Sequence, residues 1–110
     1  MPIEVFSRVK DGQLNVVNEN RNYCKIKFQG KKKESEFIIN KLWKMNTQNE
    51  EIFQYLLEKS QQYNDSYWCT FGYTGSGKTY TTDGILKLLL EYYSKQLFKI
   101  EISAFQIYNE

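Results

Sequence analysis

"FGYTGSGKTYTTDG", Phe71 to Gly84, is the stretch on which the reading of this chain turns. Within it, Gly72-Tyr73-Thr74-Gly75-Ser76-Gly77-Lys78-Thr79 satisfies G-x-x-x-x-G-K-[ST] at every fixed position. Each residue type answers a physical demand. Glycines allow the backbone to turn its N–H groups inward and form an anion nest. A helix beginning at Lys78 directs the positive end of its dipole at the bound anion. The Lys78 ammonium is expected to reach the β- and γ-phosphates of a nucleoside triphosphate, and the Thr79 hydroxyl to ligate Mg²⁺. The expected phosphate-binding set is Gly72, Thr74, Gly75, Ser76, Gly77, Lys78, Thr79 and Tyr80, with Lys78 and Thr79 also in catalytic roles. A glycine-rich strand–helix turn of no chemical consequence is the bland alternative.

The flanks agree with a phosphate loop. Ser66 to Phe71, "SYWCTF", has the length and composition of a buried strand, with Cys69 as a reduced, buried thiol. A helix follows from Lys78, with Asp83-Gly84 expected to interrupt it before "ILKLLLEYY" continues. Phe98 to Tyr108, "FKIEISAFQIY", predicts a long strand. Strand, loop, helix and strand make one βαβ unit, expected to be parallel and right-handed.

Upstream, Ile3 to Val9 predicts a first strand, stopped by the turn signal Asp11-Gly12. Leu14 to Val17 and Tyr23 to Phe28 predict a hairpin with Asn18 to Asn22 as its loop. Gly30 to Ser35, "GKKKES", predicts a solvated polar turn, and Phe37-Ile38-Ile39 another short strand. "TQNE" offers Thr47 as N-cap and Glu50 as its capping-box partner. Ile52, Phe53, Leu56, Leu57 and Tyr63 repeat at helical spacing, so Thr47 to about Tyr63 predicts an amphipathic helix.

Length and composition narrow the classes. The 110 residues suit one domain, 1–110. A net charge of +2 gives no electrostatic footprint for nucleic acid or a membrane surface. The absence of His removes imidazole as acid, base or ligand. With no signal peptide and no apolar run approaching about 20 residues, an intracellular, cytoplasmic location is expected.

The loop is closer to one family than the bare pattern requires. "FGYTGSGKTYTTDG" resembles the kinesin motor domain, whose usual run is Y/F-G-Q-T-G-S-G-K-T-Y-T-M-x-G. "IEVFSRVK" looks like the first kinesin strand, "FIINKLW" is similar to F-x-F-D-x-V-F, and "TQNEEIF" to the start of the first helix. "SAFQIYNE" is similar to S-x-x-E-I-Y-N-E almost position by position. The blocks stand in family order along nearly the whole chain.

This resemblance implies an α/β fold: a reduced kinesin-like P-loop NTPase with a small, mostly parallel central sheet flanked by helices, plus a β-hairpin. In the family a basic pair after the first strand packs against the base. Carried over, Arg8 and Lys10 match that pair, Asp11 stands where the family has proline, and Tyr73 where it has Gln. Base contacts are therefore expected from Arg8, Lys10, Asp11 and Tyr73, with relaxed base choice. Tyr73 either stacks on the base or packs on the loop.

Departures carry equal weight. The switch motifs N-x-x-S-S-R and D-x-x-G-x-E do not occur in these residues. The resemblance therefore covers only the N-terminal portion of a motor, and neither motility nor a microtubule partner is expected. With strands missing, the first strand, the loop strand and the last strand are expected to close up side by side. That would bring Glu110 to the phosphate edge as a Mg²⁺-water ligand or base, the alternative being an exposed chain end. Asp83 and Asp11 are further carboxylate candidates. The uncovered edge of the last strand invites a homodimer, with Arg21 available in trans. The resulting expectation is a minimal Mg²⁺-dependent nucleoside triphosphate hydrolase, non-motile. The alternative is a nucleotide-binding interaction module without hydrolysis.

Overall fold

In the computed structural model, which describes residues 3–9, 14–29, 33–72, 77–96 and 99–107, apolar–polar alternation becomes sheet only in the N-terminal half. The elements run β1 (Phe6–Val9), β2 (Leu14–Glu19), β3 (Cys24–Gln29), β4 (Glu34–Ile39), β5 (Lys41–Lys44), α1 (Asn49–Ser60) and α2 (Lys78–Ser94). Contacts divide the chain into two units, Met1–Ile52 and Phe53–Glu110, the boundary falling within α1.

The first unit holds two small sheets. Strands β2, β3 and β4 form an antiparallel sheet in that order. Cys24 and Ile26, two apart on β3, share one face and are buried. Lys25 and Lys27 take the other face, where they meet Glu36 at 3.3 Å and Glu34 at 2.6 Å. Both are diagonal pairs, since Lys27 stands directly opposite Glu36. Exposed pairs of this kind contribute at most about 1 kcal/mol, so burial of Cys24 and Ile26 dominates.

The expected hairpin is present, with a tighter turn than the composition suggested. Strand β2 continues to Glu19, and Asn20 closes the loop by itself. Its Oδ1 accepts the N–H groups of Asn22 at 2.8 Å and Tyr23 at 3.1 Å. An Asx turn of this kind lets one asparagine stand in for a backbone turn.

Asn40 then separates β4 from β5. Its backbone N–H donates to the Val5 carbonyl at 2.8 Å, while its Oδ1 accepts the Val5 N–H at the same distance. This clamp starts the parallel β1–β5 ladder, which pairs Phe6 with Lys41 through Val9 with Lys44. Strand β5 was not foreseen; "KLWK" is too short and too charged to announce itself. Trp43 supplies the reason it forms: its ring is buried and lies 5.7 Å from that of Phe6.

Helix α1 starts two residues after Thr47, the residue expected to cap it, and ends at Ser60 rather than near Tyr63. Its first turn carries Glu50 and Glu51 and its last turn Lys59, charges that complement the helix dipole. Ile52, Phe53 and Leu57 are its buried apolar side chains, as the periodicity predicted, whereas Leu56 is half-buried and Tyr63, beyond the helix end, is exposed.

In the second unit, the later part of α1 meets the end of α2. Phe53 and Tyr92 pack edge to face at 6.4 Å, and Gln61 Nε2 donates to the Tyr92 hydroxyl at 3.2 Å. Helix α2 runs unbroken through Asp83-Gly84, where an interruption was expected. One mid-helix glycine costs only about 1 kcal/mol relative to Ala, and the good helix formers after it outweigh that. No residue of α2 is fully buried.

Two expected strands do not form among the described residues. Ser66 to Phe71 and the described residues 99–107 form no ladder. Tyr67 is 80% exposed, Phe71 92% and Phe105 87%, and Cys69 is exposed rather than buried. Strand-like composition states a preference for a pleated, half-buried surface, and that surface must come from neighbouring strands. Among the described residues neither segment finds one. The βαβ unit, the side-by-side closure of three strands and the mostly parallel sheet are therefore corrected. What forms is a small mixed α/β arrangement: a two-stranded parallel sheet, a three-stranded antiparallel sheet and two helices.

Candidate functional site

Gly77 carries the backbone feature that the loop motif demands. Its φ is +91°, in the left-handed region that a side chain disfavours, and it directly precedes α2. The first helical bond seen there runs from the Thr81 N–H to the Gly77 carbonyl at 3.1 Å. By helix geometry, N–H groups of the first turn have no acceptor within the helix, which is the arrangement an anion exploits. Lys78, Thr79 and Tyr80 open α2 and are exposed.

The Lys78 side chain turns back toward Gly72. Its ammonium donates to the Gly72 carbonyl at 2.8 Å, joining the first residue of the motif to its lysine. Thr82 adds a second link: its Oγ1 lies 2.7 Å from the Lys78 carbonyl and 3.3 Å from Thr70 Oγ1. Gly72, Gly77, Lys78, Thr79 and Tyr80 thus fall within one unit, around the start of α2. Tyr73, Thr74, Gly75 and Ser76 lie outside the described residues, as do Lys10, Asp11 and Glu110.

A magnesium ion bound with a triphosphate retains several waters and takes few protein ligands. An exposed Thr79 hydroxyl at the helix start fits that limited demand, and Thr79 would hold the ion. Among the described residues no group of three His, Cys, Asp or Glu is gathered for a metal. Asp83 stands one turn beyond Thr79 on the same face of α2, as i, i+4 spacing requires.

Arg8 belongs to the other unit and is engaged there. Its guanidinium donates to Asn49 Oδ1 at 2.6 Å, to the Thr47 carbonyl at 2.5 Å and to the Met45 carbonyl at 3.3 Å. The planar fork of arginine suits this corner, joining β1 to the turn between β5 and α1. Asn49, the one polar residue among the buried described ones, is the partner that makes this possible. Sequence reasoning passed over Asn49, Thr70 and Thr82. Only Thr82 carried a signal, as it stands where the kinesin run has Met.

The chain thus combines a small mixed α/β arrangement with a helix entered through a left-handed glycine. The profile of the family described as microtubule binding matches residues 2–110. The chain belongs to that family. The motor domain of a Kar3-like kinesin from Ashbya gossypii shares its fold, with a TM-score of 0.55 and 20% identity. That match covers 84% of this chain and 38% of the kinesin chain, so the present residues span well under half of the motor domain they resemble. No curated protein matches the sequence.

The expectation against a microtubule partner is corrected by the family match. It rested on motifs that these residues do not contain. Membership rests instead on what they do contain, continuously from residue 2 to residue 110. No helix among the described residues is long and apolar enough to cross a membrane.

Proposed function

We propose that this chain binds a Mg²⁺–nucleoside triphosphate at the start of α2, hydrolyses it slowly, and couples the bound state to microtubule attachment. The observation that carries the reading is left-handed Gly77 immediately before Lys78, with the Lys78 ammonium turned back to Gly72. A positive side chain and a helix N-terminus there converge on the space a phosphate chain would take. On binding, the ammonium exchanges the Gly72 carbonyl for phosphate oxygens, a charge-assisted and stronger pairing. Mg²⁺, where bound, would supply neutralisation of phosphate charge, and Thr79 would hold it. Lys78 offsets the negative charge that builds on the leaving phosphates. Relaxed base choice is supported by Arg8, whose guanidinium holds the β5–α1 turn. Microtubule attachment is supported by the family match.

The test is binding and phosphate release across a panel of ribo- and deoxyribonucleoside triphosphates, with and without Mg²⁺ and polymerised microtubules. Lys78→Ala serves as the control. Mg²⁺-dependent turnover that disappears in the control, together with nucleotide-sensitive pelleting with microtubules, is the expected result. Binding without phosphate release reduces the reading to a nucleotide-gated module and removes Glu110 as a catalytic residue. Absence of binding by the parent chain defeats it.

A further inference from the structure

The two links across the phosphate loop differ in what a nucleotide would do to them. The Lys78–Gly72 link uses the ammonium that a phosphate claims, so binding must release it. The Thr70–Thr82 link uses neutral hydroxyls that a triphosphate at the helix start has no reason to take. Thr82 has a single hydroxyl proton, and the Lys78 carbonyl at 2.7 Å is its nearer acceptor. The Thr82 oxygen is then left to accept the Thr70 proton across 3.3 Å. The kinesin run has Met at this position, and a thioether is only a weak acceptor.

The surroundings make such a link matter. Residues 66–72 form no ladder, so the backbone entering the loop lacks the sheet restraint that normally sets its direction. A loop whose ends are already held together loses less entropy when it closes on a ligand. We propose that Thr70 and Thr82 are a positioning pair, keeping the entry and exit of the phosphate loop together after Lys78 has turned to the nucleotide. The proposal rests on the nucleotide-binding reading above, and adds to it two residues that touch neither phosphate nor metal.

Titration of the full chain with a fluorescent adenosine triphosphate analogue and Mg²⁺ tests it. Thr70→Val removes the inter-segment bond and leaves the Thr82–Lys78 bond inside α2. It should weaken binding roughly threefold to tenfold, the range of one hydrogen bond. Thr70→Ser should restore parental affinity, and the melting temperature of both variants should match the parent, because Thr70 is exposed. Thr70→Val combined with Thr82→Val should bind no more weakly than the weaker single variant, as two residues in one link require. Parental affinity in Thr70→Val, or no rescue by serine, overturns the pair while leaving the nucleotide reading standing. A parent chain that fails to bind the analogue overturns both.

Discussion

Cys24-Lys25-Ile26-Lys27-Phe28 and Lys99-Ile100-Glu101-Ile102 carry nearly the same alternation of apolar and charged residues, and they reach different ends. The first is the central strand of a sheet, with Ile26 5% exposed. The second forms no ladder, and Ile102 is 69% exposed. Their charges tell the same story. Lys25 and Lys27 reach across to glutamates on β4, whereas Lys99 pairs at 3.1 Å with Glu101, two residues along its own segment. The first stretch has partners at the far ends of short turns, where closure costs little entropy. The second depends on neighbours that the described residues do not supply. A strand is a property of a pair.

The largest expected effect that tests this contrast is Ile26→Ala. It should cost about 2–4 kcal/mol in urea denaturation, the range for emptying a buried aliphatic site. Ile102→Ala should stay within about 0.5 kcal/mol, as for an exposed position. Equal losses at the two sites would mean that residues 99–107 are packed in solution. A bound microtubule or nucleotide that raised the cost at Ile102 would identify the missing neighbour's effect.

Arg8→Ala should follow, at about 2 kcal/mol, by leaving the Asn49 side chain and the Thr47 carbonyl without their charged donor. Arg8→Lys should recover only part of this, because one ammonium cannot reproduce the fork. If Arg8→Ala instead spared stability and changed nucleotide base preference, the residue would belong to the base site that the kinesin resemblance implied.

The smallest effect concerns the two thiols, one in each unit. Burial, with Glu19 adding to it and Lys41 opposing, pushes the Cys24 thiol above its ordinary value. A raised value means that the neutral thiol is the form the fold accommodates. Its contribution to stability is complete below the ordinary thiol range and is lost as pH rises through the folded value. The pH slope of stability between about pH 8 and about pH 10 should therefore be shallower in Cys24→Ala. Exposed Cys69 should be modified by a thiol reagent at once, and Cys24 only as the sheet opens. Equal reaction rates would show that the antiparallel sheet is no better held than residues 66–72.

Legibility followed range of interaction. The hairpin, the buried face of α1 and the start of α2 at Lys78 were readable because each depends on residues a few positions apart. Gly77 was readable in the same way, because a left-handed turn directly before a helix favours glycine locally. Strand β5 was hidden because four residues carry too little pattern, and Phe6, thirty-five positions before Lys41, is what they pair with. Arg8 was read as a base contact from its place beside the family's motif; Asn49 and Thr47, which hold it, could be found only in three dimensions. Ser66–Phe71 failed in the opposite sense, with a strong local pattern and no partner.

By itself, then, the sequence determined the helical periods, the hairpin and the start of α2 at Lys78, because those rest on backbone freedom and spacing within a few residues. Tertiary structure alone decided which apolar stretches became sheet, where Arg8 was held and how Thr70 met Thr82. Each of those needs a second segment to bury a side chain or accept a proton, and local sequence does not say which segment arrives.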